Sequence, residues 1–274
     1  MSRSDSRPSS WERLIGDAQA YLEDGELEEA LAVCEQATEL EPERIDGYLL
    51  ASEILLRLDD PRSAAEAARE ALELAPEEEA AIALLGASLF ESCDFEGART
   101  TLAPLLATFD GQAEAYFLSA VVAEREAETS EARRLYAEAS RRDDTYRTVA
   151  PLDRERFDAV VEDAIRKLPD DVRAALENVS VQVEDFPPLE ELRASNPPLS
   201  PLILGLFRGV PRAEKSVFDG GAAGIDTVVL YQRCLELTCR DEDELMEEIV
   251  ITLVHEVGHY LGLSEEELVE RGVG

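Results

Sequence analysis

A spacing of 34 residues governs the first half of the chain. Ala30, Ala64, Ala98 and Ala132 fall at this interval, as do Ala37, Ala71, Leu105 and Ala139, and Ala18, Ser52, Gly86 and Ala120. Pro42 and Pro76 share it, each just after a helical phrase, EQATELEP and REALELAP. A fixed period of this length means a stack of supersecondary units, each leaving an apolar face bare until a neighbour covers it. Small residues at the repeated positions let the two helices of a unit approach closely. Gly25, Cys93-Asp94 and Ala127 stand where the first helix of a unit turns into the second. Cys34 falls on an inward-facing position, as a small core residue does.

From Trp11 to about Asp144 the pattern makes four units. They resemble tetratricopeptide repeats, closely in the first two and more loosely in the third and fourth, where Asp110 stands in place of the proline. The resemblance implies an all-α solenoid whose concave surface binds a peptide or protein partner.

Near Pro151 the period stops. RERFDAVVEDAIRKL and DDVRAALENV have apolar residues at helical spacing. Val179, Val181 and Val183 alternate with polar residues, which predicts a half-buried strand. LILGLFRGVP and IDTVVLYQR predict two more strands, separated by the glycine-containing connection KSVFDGGAAG. The proline-rich stretch from Pro187 to Pro201 reads as a loop. DEDELMEEIVITLVHEVGHYLGL reads as one long helix ending at Gly262. The expected fold class is α+β overall: an all-α solenoid over residues 11–150, and a small α/β domain over 151–274. Residues 1–10 are expected to form a disordered tail and not a signal peptide, because no apolar segment follows their positive charge.

The long helix carries the chemistry. His255-Glu256-Val257-Gly258-His259 is an H-E-x-x-H sequence, and its two histidines are the only ones in the chain. Residues four apart share one helix face, so both imidazoles can point at one ion. Zinc accepts histidine nitrogen, and Glu256 stands where a carboxylate can take the proton of an attacking water. The third ligand cannot be histidine. In one zincin pattern a glycine follows the second histidine by three and the third ligand by six; Gly262 and Glu265 stand at those positions, so by that resemblance Glu265 is the expected ligand, with Glu266 and Glu270 in reserve. A competing reading makes Ser264 an N-cap, Glu267 its capping-box partner, and Leu263 and Leu268 a hydrophobic staple. Cys234 and Cys239 have a spacing wider than a zinc knuckle and are expected to pack. Tyr231 and Tyr260 are within reach of an oxyanion role, but packing is the expected role for each.

From about Arg154 to Gly272 the chain resembles a family of small bacterial zincin-like metallopeptidases of minimal fold. The matching phrases are ALENVSVQVEDFPP, LGLFRGVP and LVHEVGHYLGLSEEEL. The resemblance implies a compact sheet with the H-E-x-x-H helix across it, and zinc held in zincin fashion. The family often has Asp or Ser at the place of Glu265. No Met-turn is expected, since the only methionines are Met1 and Met246. The implied function is zinc-dependent hydrolysis of peptide bonds, with His255, His259 and Glu265 as ligands and Glu256 as base. An extended substrate is expected to add to a free sheet edge along Thr227–Tyr231. The alternative is a non-catalytic repeat adaptor whose zincin-like domain is structural or metal-free.

Charge and cysteine usage narrow the partners. Net charge is −35; residues 151–274 hold 12 Lys/Arg against 27 Asp/Glu, or −15, leaving −20 on residues 1–150. Neither half offers clustered cations to phosphates, which argues against nucleic acid. No apolar run approaches membrane-spanning length, so no membrane partner is expected. Four cysteines in 274 residues fit a reducing, cytoplasmic compartment.

Overall fold

The computed structural model describes residues 9–107, 112–209, 226–264 and 267–268. Its elements, in chain order, begin with eight helices: α1 (Ser10–Asp24), α2 (Leu27–Leu40), α3 (Ile45–Arg57), α4 (Pro61–Leu74), α5 (Glu79–Glu91), α6 (Phe95–Leu106), α7 (Ala113–Arg125) and α8 (Thr129–Arg142). Then come α9 (Arg154–Lys167), α10 (Asp170–Leu176), β1 (Ser180–Glu184), α11 (Leu189–Leu192), β2 (Gly205–Arg208), β3 (Thr227–Tyr231), α12 (Gln232–Thr238) and α13 (Glu242–Leu261). The class is α+β, mostly helical with one small sheet. The chain divides into two compact units, Met1–Asp143 with Leu189–Ser200, and Asp144–Pro188 with Pro201–Gly274. Most of the tail expected over 1–10, and most of the glycine-containing connection after β2, lie outside the described residues; α1 itself begins at Ser10 under a Ser9–Glu12 capping box.

In the first unit, α1–α8 form four helix–turn–helix pairs, and the period seen in the sequence is the period of their contacts. Ala18, Ala30, Ala37, Ala64, Ala71, Ala98, Ala120 and Ala139 have no exposed surface. Within each pair the turn passes through one left-handed residue: Gly25 (φ 80°), Asp59 (55°), Cys93 (59°) and Ala127 (62°). These four lie 34 residues apart, so the turn geometry repeats even where glycine does not. Asp60 and Asp94 then cap α4 and α6, accepting hydrogen bonds from the backbone N–H of Ser63 and Gly97.

The stretch from Pro187 to Pro201, which reads as loop in the sequence, is not loop throughout. It contains α11, and Leu189–Ser200 packs as part of the first unit. Leu192 is fully buried, and the Arg193 guanidinium donates to the Cys93 carbonyl at 2.7 Å. A short apolar phrase flanked by prolines has too little periodicity to announce this packing.

In the second unit the strand order is β1-β3-β2, with β1 parallel and β2 antiparallel to β3. This corrects the expectation of a free edge along Thr227–Tyr231. That strand is central, hydrogen-bonded on both sides and buried at all five residues, so no substrate strand can add to it. Val228 and Leu230 face a core built from Phe157, Val160, Val161 and Ala164 of α9 and from Leu245, Ile249, Leu253 and Val257 of α13. Val229 and Tyr231 face the other way, onto Leu202, Leu204 and Leu206. Each such side chain removed from water contributes roughly 1.5–3 kcal/mol.

After β3 the chain turns straight into α12, which takes in Gln232 and Arg233, the last two residues of the strand expected from the sequence. Glu236 is fully buried there. Its Oε1 accepts from the Leu152 backbone N–H and from Gln232 Nε2, both at 2.9 Å, and Arg233 pairs with its other oxygen. This satisfied carboxylate ties α12 to the start of α9, a long-range cause invisible to local periodicity.

Candidate metal centre

α13 is the element that aims the site. Asp241 caps it by accepting from the backbone N–H groups of Asp243 and Glu244, and Glu242, Asp243 and Glu244 place negative charge at the positive end of its dipole. The row Leu245, Ile249, Leu253, Val257 is fully buried and fixes the rotation of the helix. The opposite side therefore carries His255 and His259. Gly262, at φ 87°, ends the helix in the left-handed conformation that a side chain resists, and Leu263 N–H returns to the Gly258 carbonyl at 3.0 Å.

The two imidazoles converge. Their Nε2 atoms lie 3.0 Å apart, with ring centroids 4.7 Å apart and planes at 80°. Two nitrogens sharing one tetrahedral zinc at about 2.0–2.1 Å are separated by about 3.3 Å. The pair therefore fits one small divalent ion after a shift of a few tenths of an ångström. Both rings are half-buried. Among the described residues, no third His, Cys, Asp or Glu joins them in a group able to hold a metal. Glu265, expected as third ligand, lies outside the described residues, as do its reserves Glu266 and Glu270.

What is described beyond the helix matches the capping arrangement read from the sequence. Ser264 N–H donates to Glu267 Oε2 at 2.9 Å, and Glu267 N–H donates to Ser264 Oγ at 3.3 Å. Leu268 is buried against Gly258, where an added Cβ would stand 2.3 Å from its Cδ2. Glu267 is thus engaged in structure.

Glu256 is buried and lies beside a cleft of about 290 Å³ lined by Ile203, Leu204, Gly205, Glu248, Ile251, Thr252 and His255. Sequence reasoning passed over Gly205. A Cβ there would meet Thr252 Cγ2 at 2.7 Å, the Val229 carbonyl at 3.1 Å and Glu256 Cγ at 3.3 Å. Glycine lets the β2 backbone lie directly against the helix beside Glu256. The signal was an isolated glycine within a strand phrase, LILGLFR.

The remaining candidates take structural places. Tyr231 is fully buried, and its hydroxyl accepts from Arg208, which also grips Glu184 in a bidentate pair. Tyr260 is buried with its ring 5.7 Å from that of Phe207. Cys234 and Cys239 are free thiols buried in different clusters, Cys234 with Val229 and Tyr231, Cys239 with Leu235 and Leu245. Burial pushes the Cys239 thiol up to about 11, away from the thiolate that a metal would need.

Residues 18–44 and 55–122 match tetratricopeptide repeat families. Residues 176–273 match the zincin-like metallopeptidase family. The protein thus combines tetratricopeptide repeats in its N-terminal region with a zincin-like metallopeptidase domain at its C-terminal end. No curated protein matches the chain. Similar solved structures include MamA residues 41-end from Desulfovibrio magneticus RS-1, at 20% identity and TM-score 0.46 over 51% of this chain and 79% of that one. They also include TTC0263, a thermophilic tetratricopeptide-repeat protein of Thermus thermophilus, at 20% identity and TM-score 0.44 over 50% and 76%. A third is YrrB, described as having an unusual peptide-binding site, at 22% identity and TM-score 0.42 over 48% and 69%.

Proposed function

We propose that the protein is a zinc-dependent metallopeptidase whose repeat array binds a protein or peptide. The observation behind this reading is the 3.0 Å approach of His255 and His259 Nε2 on the helix that also holds Glu256 beside an open cleft. His255 and His259 would hold the ion through these nitrogens, with Glu265 completing the set. Bound there, zinc would supply Lewis acidity, polarising a peptide carbonyl and acidifying a water.

The remaining work falls to the chain's own groups. Glu256, buried and directly after the first histidine, accepts the proton of the attacking water and delivers it to the leaving amine. Among the described residues β2 is an edge of the sheet and borders the cleft at Gly205, so its backbone is where an extended peptide can align by strand pairing. The cleft walls Ile203, Leu204 and Ile251 exclude water from one side of the scissile bond.

No described helix is long and apolar enough to cross a membrane. All four cysteines are free and buried, which supports a reducing, cytoplasmic compartment. The repeats supply the class of surface on which protein partners bind. The test is cleavage of casein and of a peptide library by protein purified without chelator, beside Glu256→Gln. Zinc-dependent cleavage lost in the variant is the expected result; zinc retained with cleavage indifferent to Glu256 would instead support a non-catalytic adaptor.

A further inference from the structure

The cleft beside Glu256 holds a second carboxylate that the proton chemistry does not use. Glu248 lies on α13, seven residues before His255, which is about 10 Å along the axis and nearly the same face. Its neighbours in the cleft wall are Ile203, Leu204, Ile251 and Thr252. It is half-buried, and its backbone carbonyl accepts from Thr252 Oγ1 at 2.9 Å. Its carboxylate makes no hydrogen bond or ion pair with the described residues. Burial among these walls raises its pKa above the usual glutamate value. A partly desolvated carboxylate with no counter-charge among the described residues is costly, and an arriving cation recovers that cost.

We propose that Glu248 is a specificity-determining residue that receives the Lys or Arg side chain of a peptide lying in this cleft. The inference rests on the peptidase reading only for where the scissile bond sits, next to His255 and His259. Distance selects the cation. A free α-amine adjacent to the scissile bond stands only about one residue rise, roughly 3.3 Å, from it, far short of Glu248. A long basic side chain bridges the gap, its methylene stem along Ile203, Leu204 and Ile251 and its head at the carboxylate. Arginine adds a fork that matches both carboxylate oxygens. The acidic chain, at −35, favours encounter with cationic peptides but does not choose the position of the charge.

The experiment uses fluorescein-labelled octapeptides of Ala and Ser with Lys, Arg, norleucine or citrulline scanned across the four central positions. Binding is measured by anisotropy on the full-length zinc-loaded Glu256→Gln protein, and cleavage on the wild type. Charged peptides are expected to bind about tenfold or more tighter than their neutral counterparts at one position, the worth of a charge-assisted contact. Adding Glu248→Gln is expected to erase that difference, and Glu248→Lys to transfer it to peptides with Glu at the same position. Equal binding of lysine and norleucine peptides, or a preference that survives Glu248→Gln, overturns the proposal. If the binding preference follows Glu248 while no peptide is cleaved, the recognition site stands and the peptidase reading falls. If cleavage occurs with no preference tied to Glu248, the reverse holds.

Discussion

His255 Nε2 and His259 Nε2 stand 3.0 Å apart on one face of α13, closer than two unprotonated acceptors would choose without a proton or cation between them. Glu256, the residue following His255, is buried on the cleft side. The roles are separable. Glu256→Gln keeps the volume and the two nitrogens, so it is expected to retain zinc while kcat falls by about 10²–10⁴-fold, the usual worth of a positioned base. Parallel metal analysis and cleavage assays on the one variant check this.

Gly205 sets how near β2 lies to α13. Gly205→Ala would bring a Cβ to 2.7 Å from Thr252 Cγ2 and 3.1 Å from the Val229 carbonyl. Backbone cannot yield as a side-chain tip can, so the strand must shift. The expected cost is about 1–3 kcal/mol in denaturant unfolding. Peptide KM should rise as β2 is displaced, with zinc content unchanged.

The repeat turns allow a stability test within the first unit. Ala127 holds φ 62° at an exposed position, whereas Gly25 holds φ 80° at the equivalent place in the first repeat. A left-handed alanine costs roughly 1–2 kcal/mol that glycine avoids. Ala127→Gly is expected to stabilise the protein by about 1 kcal/mol, and Gly25→Ala to destabilise it by a similar amount, in urea titrations.

Glu91, at the end of α5, gives a pH dependence. Burial raises its pKa, the charges of Asp59 and Glu114 push the same way, and its hydrogen bond with Ser200 only partly opposes them. A carboxyl whose folded pKa exceeds its unfolded one contributes stability fully below the unfolded value and loses it as pH rises through the folded value. Ionised Glu91 therefore burdens the fold at neutral pH. Glu91→Gln is expected to be more stable than wild type at pH 7 to 8, with the advantage shrinking towards pH 4. Melting curves across this range decide it.

Much of this was legible in the residues. The alanine ladder located every helix pair of the repeats, because helix–helix approach demands small side chains at fixed intervals. The H-E-x-x-H spacing located the paired nitrogens, because four residues make one helical turn. Strand order was not legible locally, and the edge assignment for Thr227–Tyr231 failed for that reason. A signal was nonetheless present: Val228, Val229 and Leu230 are apolar in succession, as suits a strand covered on both faces, where an edge strand alternates. α12 escaped because its helix depends on Glu236 meeting Leu152, 84 residues earlier. Asp59 gave no glycine to mark its left-handed turn, although the 34-residue period through Gly25, Cys93 and Ala127 passes through it. Glu248 went unnoticed among six acidic residues between Asp241 and Glu248, since only the cleft distinguishes it.

The most direct test of the account is elemental analysis of the full chain purified without chelator, beside His255→Ala, His259→Ala and Glu265→Ala. About one zinc per wild-type chain is expected, lost in both histidine variants and weakened by about 10–100-fold in affinity or more in Glu265→Ala. A wild type that binds no zinc, or histidine variants that keep it, would contradict the convergence of His255 and His259 as a metal centre.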